Sequence, residues 1–278
     1  MKEIWHWKNQ NIAWHVEGEN NNTSSIATVL IHGFGACKEH WRYNQKALSQ
    51  LAPSYSIDLC GFGKSSQPKS LISYETKIPD SFNYSFDNWS QQIIDFCNEI
   101  VQRPVFLIGN SIGGVIALNA SSKISKNCIG VILIDCAQRT MDDKRLIEQS
   151  ILMRFLRPVI KTIVRQRSIS STIFKFAANP NFIKKILKIA YPSGDNVNQE
   201  LLNLLFEPTQ REGAPEAFRG FINLFNDHLA PDLLKNCNYP VYLIWGEKDP
   251  WEPVQEAKKW FKTFECIKSL DIISQAGH

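Results

Sequence analysis

The sequence predicts an α/β protein: a mostly parallel central sheet with helices on both faces, and a helical cap inserted after the strand that ends at Asp135. Three observations predict it. Short, near-continuous apolar runs at residues 28–31, 104–108, 128–135 and 240–245 have the character of strands buried on both faces. From 28 to 135 these runs alternate with helix-compatible stretches, which implies right-handed βαβ units. From about 139 to 230 the strand pattern stops, and apolar pairs such as Ile151-Leu152, Phe155-Leu156, Val159-Ile160 and Ile163-Val164 recur at helical spacing.

In chain order, Ile4-Trp5-His6-Trp7 and Ile12-Ala13-Trp14-His15-Val16 flank a polar turn and read as a β-hairpin, with His6 and His15 on its solvent face. A polar loop at 18–25 leads to the strand at 28–31, then the glycine turn His32-Gly33-Phe34-Gly35, and helical spacing over 39–51. Residues 56–59 read as a strand. Gly61-Phe62-Gly63-Lys64-Ser65 after it ends like a phosphate-binding loop, but that motif needs glycine where Asp58 stands, which excludes it. Residues 66–85 read as loop and 86–101 as an amphipathic helix. Pro158, Pro180, Pro192, Pro208 and Pro215 are expected to cut the insertion into short helices. After the strand at 240–245, a helix is expected over 251–264 with Pro253 in its first turn, and a last strand over 269–273. The expected division is a core of 1–138 with 231–278, and a cap of 139–230.

A chain of 278 residues with 44% hydrophobic and 21% charged residues reads as an ordinary globular protein. Its N-terminus lacks a long apolar stretch, so no signal peptide is expected, and no apolar run approaches bilayer-spanning length. Seven scattered cysteines fit a reducing compartment better than a disulfide framework, and the cytoplasm is the default. A net charge of +4 gives no argument for nucleic acid. Its distribution is uneven, however. Between Arg139 and Tyr191 twelve Lys or Arg face three acids, a net +9, which leaves −5 on the rest.

The chemistry centres on Gly109-Asn110-Ser111-Ile112-Gly113, between an apolar strand and a helix-compatible run. Strand, glycine-flanked serine and helix is the layout of a nucleophile elbow, whose strained turn lifts the hydroxyl above the sheet edge and needs small neighbours two places either side. A serine hydroxyl needs a base, and in this topology the order is serine, acid, histidine. His6, His15, His32 and His40 precede Ser111, and His228 has no strand end to hold it. His278, a short glycine-containing turn after the last strand, is the candidate base. Asp249 and Asp135 both follow strands after Ser111; Asp249 is preferred, because its loop neighbours the strand leading to His278. The Phe34 and Ile112 amides are the candidate donors to an oxyanion.

His32-Gly33-Phe34-Gly35, Asp58 to Ser65, the elbow with Gly114, Trp245-Gly246-Glu247-Lys248-Asp249-Pro250-Trp251 and Ala276-Gly277-His278 resemble the α/β-hydrolase superfamily, in its order and spacing. The asparagine before the serine and the Asp-Pro-Trp resemble its pheophytinase and chlorophyll dephytylase-like branch of plants and cyanobacteria. The resemblance implies a serine hydrolase of a carboxylic ester with a lipophilic substrate, with no cofactor and no metal. Carbon–carbon bond hydrolases share Asn-Ser-x-Gly-Gly and are the alternative, as is a non-catalytic ligand-binding member. Relatives with an elbow aspartate are excluded by Ser111. The resemblance also implies a final helix after the histidine; the chain stops at His278, so a truncated sequence is the expectation. For the cap, a cover with its apolar face over the pocket and its charges solvated, and a peripheral interfacial contact with anionic membrane through its interleaved apolar and basic residues, both stay open.

Overall fold

The computed structural model describes residues 3–19, 24–73, 75–76, 78–124 and 127–278. Part of the polar loop at 18–25 (residues 20–23) and two positions of the 66–85 loop (74 and 77) lie outside them.

Among the described residues, eight strands make one sheet. In chain order these are β1 (Glu3–Trp7), β2 (Gln10–Glu17), β3 (Ala27–Ile31), β4 (Ser54–Ile57), β7 (Val105–Asn110), β8 (Cys128–Ile134), β9 (Val241–Gly246) and β10 (Ile267–Ile273). Their spatial order is β1-β2-β4-β3-β7-β8-β9-β10, with every pairing parallel except the two that β2 makes. A minor parallel pair, β5 (Lys69–Ser70) and β6 (Ser81–Phe82), sits in the 66–85 region expected to be loop. His6 and His15 are exposed on the hairpin.

Strand periodicity sends alternate side chains to opposite faces. Val29, Ile31, Leu107, Val131, Leu133, Leu243 and Trp245 enter the main core, covered by α2 (Phe86–Phe96), α3 (Ile112–Ser121), α9 (Ala230–Leu234) and α10 (Val254–Thr263). Leu30, Ile108, Ile132 and Ile134 point the other way, against Trp41 and Leu48, at the ends of a 3-10 turn (Lys38–Trp41) and α1 (Arg42–Leu48). The helix expected over 39–51 therefore begins as 3-10 turn and stops early.

Two further boundaries differ from expectation for visible reasons. The strand expected to include Asp58 ends at Ile57, because the buried Asp58 carboxylate turns to accept the Lys38 amide at 2.6 Å and the Lys64 amide at 2.8 Å. A Cβ on Gly63, which has φ +53°, would land 2.3 Å from that carboxyl carbon. The helix expected from 251 starts at Val254, since Asp249 Oδ1 accepts the Trp251 and Glu252 amides at 2.8 and 2.9 Å and holds 249–252 as a turn.

Between β8 and α9 lie α4 (Ile151–Arg165), α5 (Arg167–Ala177), α6 (Pro180–Ala190), α7 (Gln199–Phe206) and α8 (Ala214–Ile222). Asn179, Asn198 and Ser150 cap three of these with their side chains. Pro180 and Pro215 sit in first turns, but Pro158 lies inside α4 and does not end it. Leu187, Leu201 and Leu202 form a small core of their own. Ala230 and Leu234 of α9, by contrast, bury in the main core.

Candidate active site

Ser111 stands between β7 and α3 with φ +54° and ψ −122°, a region that a side chain rarely occupies. Three hydrogen bonds over-determine it. Its amide donates to the Ile134 carbonyl at 3.0 Å, and its carbonyl accepts from the Gly114 and Ala137 amides at 3.0 and 3.1 Å. The flanking glycines answer to sterics: a Cβ on Gly109 would meet the Gly113 carbonyl oxygen at 2.2 Å, and one on Gly113 the Ile31 carbonyl oxygen at 2.4 Å. Ile112, next in the chain, opens α3, so its amide sits at the positive end of that helix.

Ser111, Ile112, Phe34 and His278 border one cavity of about 430 Å³. Among the described residues, neither the Phe34 nor the Ile112 amide is spent on another hydrogen bond. The Phe34 ring stacks on Phe221 of α8, with centroids 3.8 Å apart, and so joins the core to the insertion. Apolar side chains from the insertion, Ile186, Leu187 and Leu205, complete the wall.

His278 Nδ1 and Asp249 Oδ2 are 2.6 Å apart, and the Asp249 side chain is fully buried. Burial alone pushes Asp249 up, but the His278 hydrogen bond and charge, with the two turn amides, hold it below the usual carboxylate range. Burial lowers the imidazole, and the Asp249 bond with the charges of Asp249, Asp135 and Glu252 outweighs it, so His278 lies above its ordinary value. The Trp251 ring meets the imidazole edge-on at 5.0 Å.

Asp135 is not remote from this pair. It follows β8 with φ +45°, and its Oδ1 accepts the Gly246 amide at 2.7 Å. One donor atom from each of Asp135, Asp249 and His278 lies within 4.8 Å of the others, a grouping that could in principle ligate a metal ion. Each already has a protein partner. Burial first, then the Asp249 charge, pushes the Asp135 carboxyl up to about 7.

Sequence reasoning missed two features. Glu252, half-buried beside the cluster, accepts the Gln138 amide at 2.8 Å and is pushed up to about 7 by desolvation of its carboxyl. Its place three residues after Asp249 was the available signal. His40 also borders the cavity; its Nε2 lies 2.7 Å from the Tyr191 hydroxyl, and burial pushes it down to about 4. A contact between α1's approach and the end of α6 leaves no local trace in sequence. His32 is buried, bonded to the Leu59 amide and Gly33 carbonyl, and His228 pairs with Asp87.

The family model described as alpha/beta hydrolase fold matches residues 28–278. The chain belongs to that family. Among characterised proteins, this α/β hydrolase is 25% identical over 300 aligned residues to the chloroplastic pheophytinase of Arabidopsis thaliana, covering 98% of the chain and 61% of that protein. It is 31% identical over 134 residues to the 1-acylglycerol-3-phosphate O-acyltransferase ABHD5 of Rattus norvegicus, covering 48% of the chain and 36% of the relative. The chain thus spans less than two thirds of either relative's length. A serine hydrolase involved in carbazole degradation superposes with a TM-score of 0.73 at 16% identity, covering 100% of this chain and 91% of that one; this likeness bears on fold.

Proposed function

We propose that the protein is a serine hydrolase that cleaves a carboxylic ester of a lipophilic substrate. The observation that carries this reading is the Asp249–His278 hydrogen bond at 2.6 Å, whose imidazole shares a cavity with the strained Ser111. In the proposed reaction His278 Nε2 takes the Ser111 proton as Oγ attacks the ester carbonyl. Asp249 fixes the imidazole tautomer and stabilises the imidazolium. The Phe34 and Ile112 amides receive the charge that develops on the carbonyl oxygen. Collapse returns the proton from His278 to the leaving alcohol and leaves an acyl group on Ser111. Water, activated by the same histidine, then releases the acid.

An apolar wall of Ile186, Leu187, Leu205 and Phe221 supports a lipophilic substrate, since apolar surface confers affinity while the few polar groups orient the ester. The likeness to pheophytinase makes a phytyl ester the first candidate. Hydrolysis of an ester series from short acyl chains to a phytyl ester tests the proposal. Turnover that rises with chain length or on the phytyl ester is the expected result. Turnover of a vinylogous diketone with no ester cleaved moves the activity to carbon–carbon bond hydrolysis.

A further inference from the structure

Helix α4 is amphipathic the wrong way round for a helix packed on a soluble protein. Ile151, Leu152, Phe155, Leu156, Val159 and Ile163 recur at spacings that share one face of a 3.6-residue helix, and all six are exposed, Phe155 at 78% and Leu152 at 67%. Two of its basic side chains face inward instead. Arg157 and Lys161 both pair with Asp143, and Arg157 lies only 5% exposed. The ordinary arrangement, with the apolar stripe toward the core, is therefore reversed. A contiguous apolar patch of this kind on a folded surface marks a contact.

Charge selects the occupant. From Gln149 to Gly194 the chain has nine Lys or Arg and no acidic residue. Among the described residues Arg154 on α4, Lys175 on α5, and Lys184, Lys185 and Lys188 on α6 form no ion pair. All five are exposed. A second copy of the same patch would set these cations against their own kind, with no acid in the segment to offset them. An anionic lipid surface offers an apolar layer for the stripe and negative headgroups for the rim. No helix among the described residues is long and apolar enough to cross a membrane, so the geometry is that of a helix lying in the interface.

We infer that the exposed apolar face of α4 inserts into the surface of an anionic bilayer, with Arg154 and the lysines of α5 and α6 at the headgroups. This docking surface stands independently of the ester-cleavage reading. With Arg157 and Lys161 engaged by Asp143, insertion of apolar side chains contributes alongside the remaining cations, so salt weakens binding without abolishing it.

Flotation with phosphatidylcholine vesicles, with and without phosphatidylglycerol, tests this on the wild type, on Phe155→Ser/Val159→Ser and on Lys184→Glu/Lys185→Glu. The substituted side chains are exposed, and circular dichroism checks that both variants fold. The wild type is expected to float with anionic vesicles, and each pair of substitutions to weaken binding about tenfold or more. Turnover of a short, water-soluble ester by the Phe155/Val159 variant is expected to be unchanged, which separates docking from catalysis. Absence of wild-type flotation overturns the inference, as does binding indifferent to the Phe155/Val159 substitutions. A dimer in light scattering that these substitutions dissolve assigns the face to a second copy and overturns it equally.

Discussion

Asp249 and Asp135 sit at neighbouring strand ends, and protonation distinguishes them. Asp249 is held ionised by His278, while burial pushes Asp135 toward neutrality around pH 7. Asparagine at 135 copies a neutral acid and its oxygen can still accept the Gly246 amide. Asparagine at 249 removes the charge that fixes the tautomer. The expected loss in kcat is about a thousandfold or more for Asp249→Asn and within about tenfold for Asp135→Asn. The pH profile should follow. A base must be unprotonated, so activity falls as pH drops through the His278 pKa, which lies above the ordinary imidazole value. In Asp249→Asn that acid limb should move to lower pH, because the imidazolium has lost its carboxylate. The reverse ranking of the two variants in steady-state kinetics would give the role to Asp135.

Among the elements, the join between β10 and α6 is a tight constraint on the site. The His278 amide donates to the Ala190 carbonyl at 3.0 Å, and a Cβ on Gly277 would meet that oxygen at 2.1 Å and Pro192 Cδ at 2.5 Å. Both obstacles are backbone or ring atoms that cannot swing aside. Gly277→Ala is therefore expected to displace His278 and lower kcat about a hundredfold, with a destabilisation of about 1–3 kcal/mol in denaturant melts. Near-wild-type kcat in this variant would show that the join does not position the imidazole. This contact was invisible in the sequence because it links the last turn of the chain to a helix almost ninety residues earlier. The elbow was legible for the opposite reason: its strand, its two steric glycines and its helix are consecutive. Boundaries misread at Asp58 and Trp251 share one cause. In each, a buried aspartate side chain accepts an amide from the turn that follows it, Lys64 for Asp58 and Trp251 for Asp249, and such side-chain to backbone bonding overrides periodicity.

For the molecule as a whole, the mostly parallel sheet was legible in buried apolar strands alternating with helices, which imply right-handed βαβ units, whereas the spatial order of the strands came from the structure. The insertion was legible as helical, and its charge excess was plain from composition. Its orientation was not. Periodicity places Phe155 and Val159 on one face of α4 but says nothing of whether that face turns inward, and Pro158 was expected to break a helix that runs through it. The cavity inherits this limit. Its floor, Ser111 with Ile112 and Phe34, comes from motifs on the sheet, whereas Leu187, Leu205 and Phe221 come from the insertion, where no motif announces them.

The most direct test of a serine mechanism is covalent labelling by a fluorophosphonate, because only a serine activated by its base reacts at an appreciable rate. The whole chain is incubated with the probe, and the site of modification is read by mass spectrometry. The expected result is one adduct on Ser111, absent in Ser111→Ala and slowed about a hundredfold or more in Asp249→Asn. An unlabelled wild-type chain, or an adduct on a different serine, would contradict the assignment of Ser111 as the nucleophile.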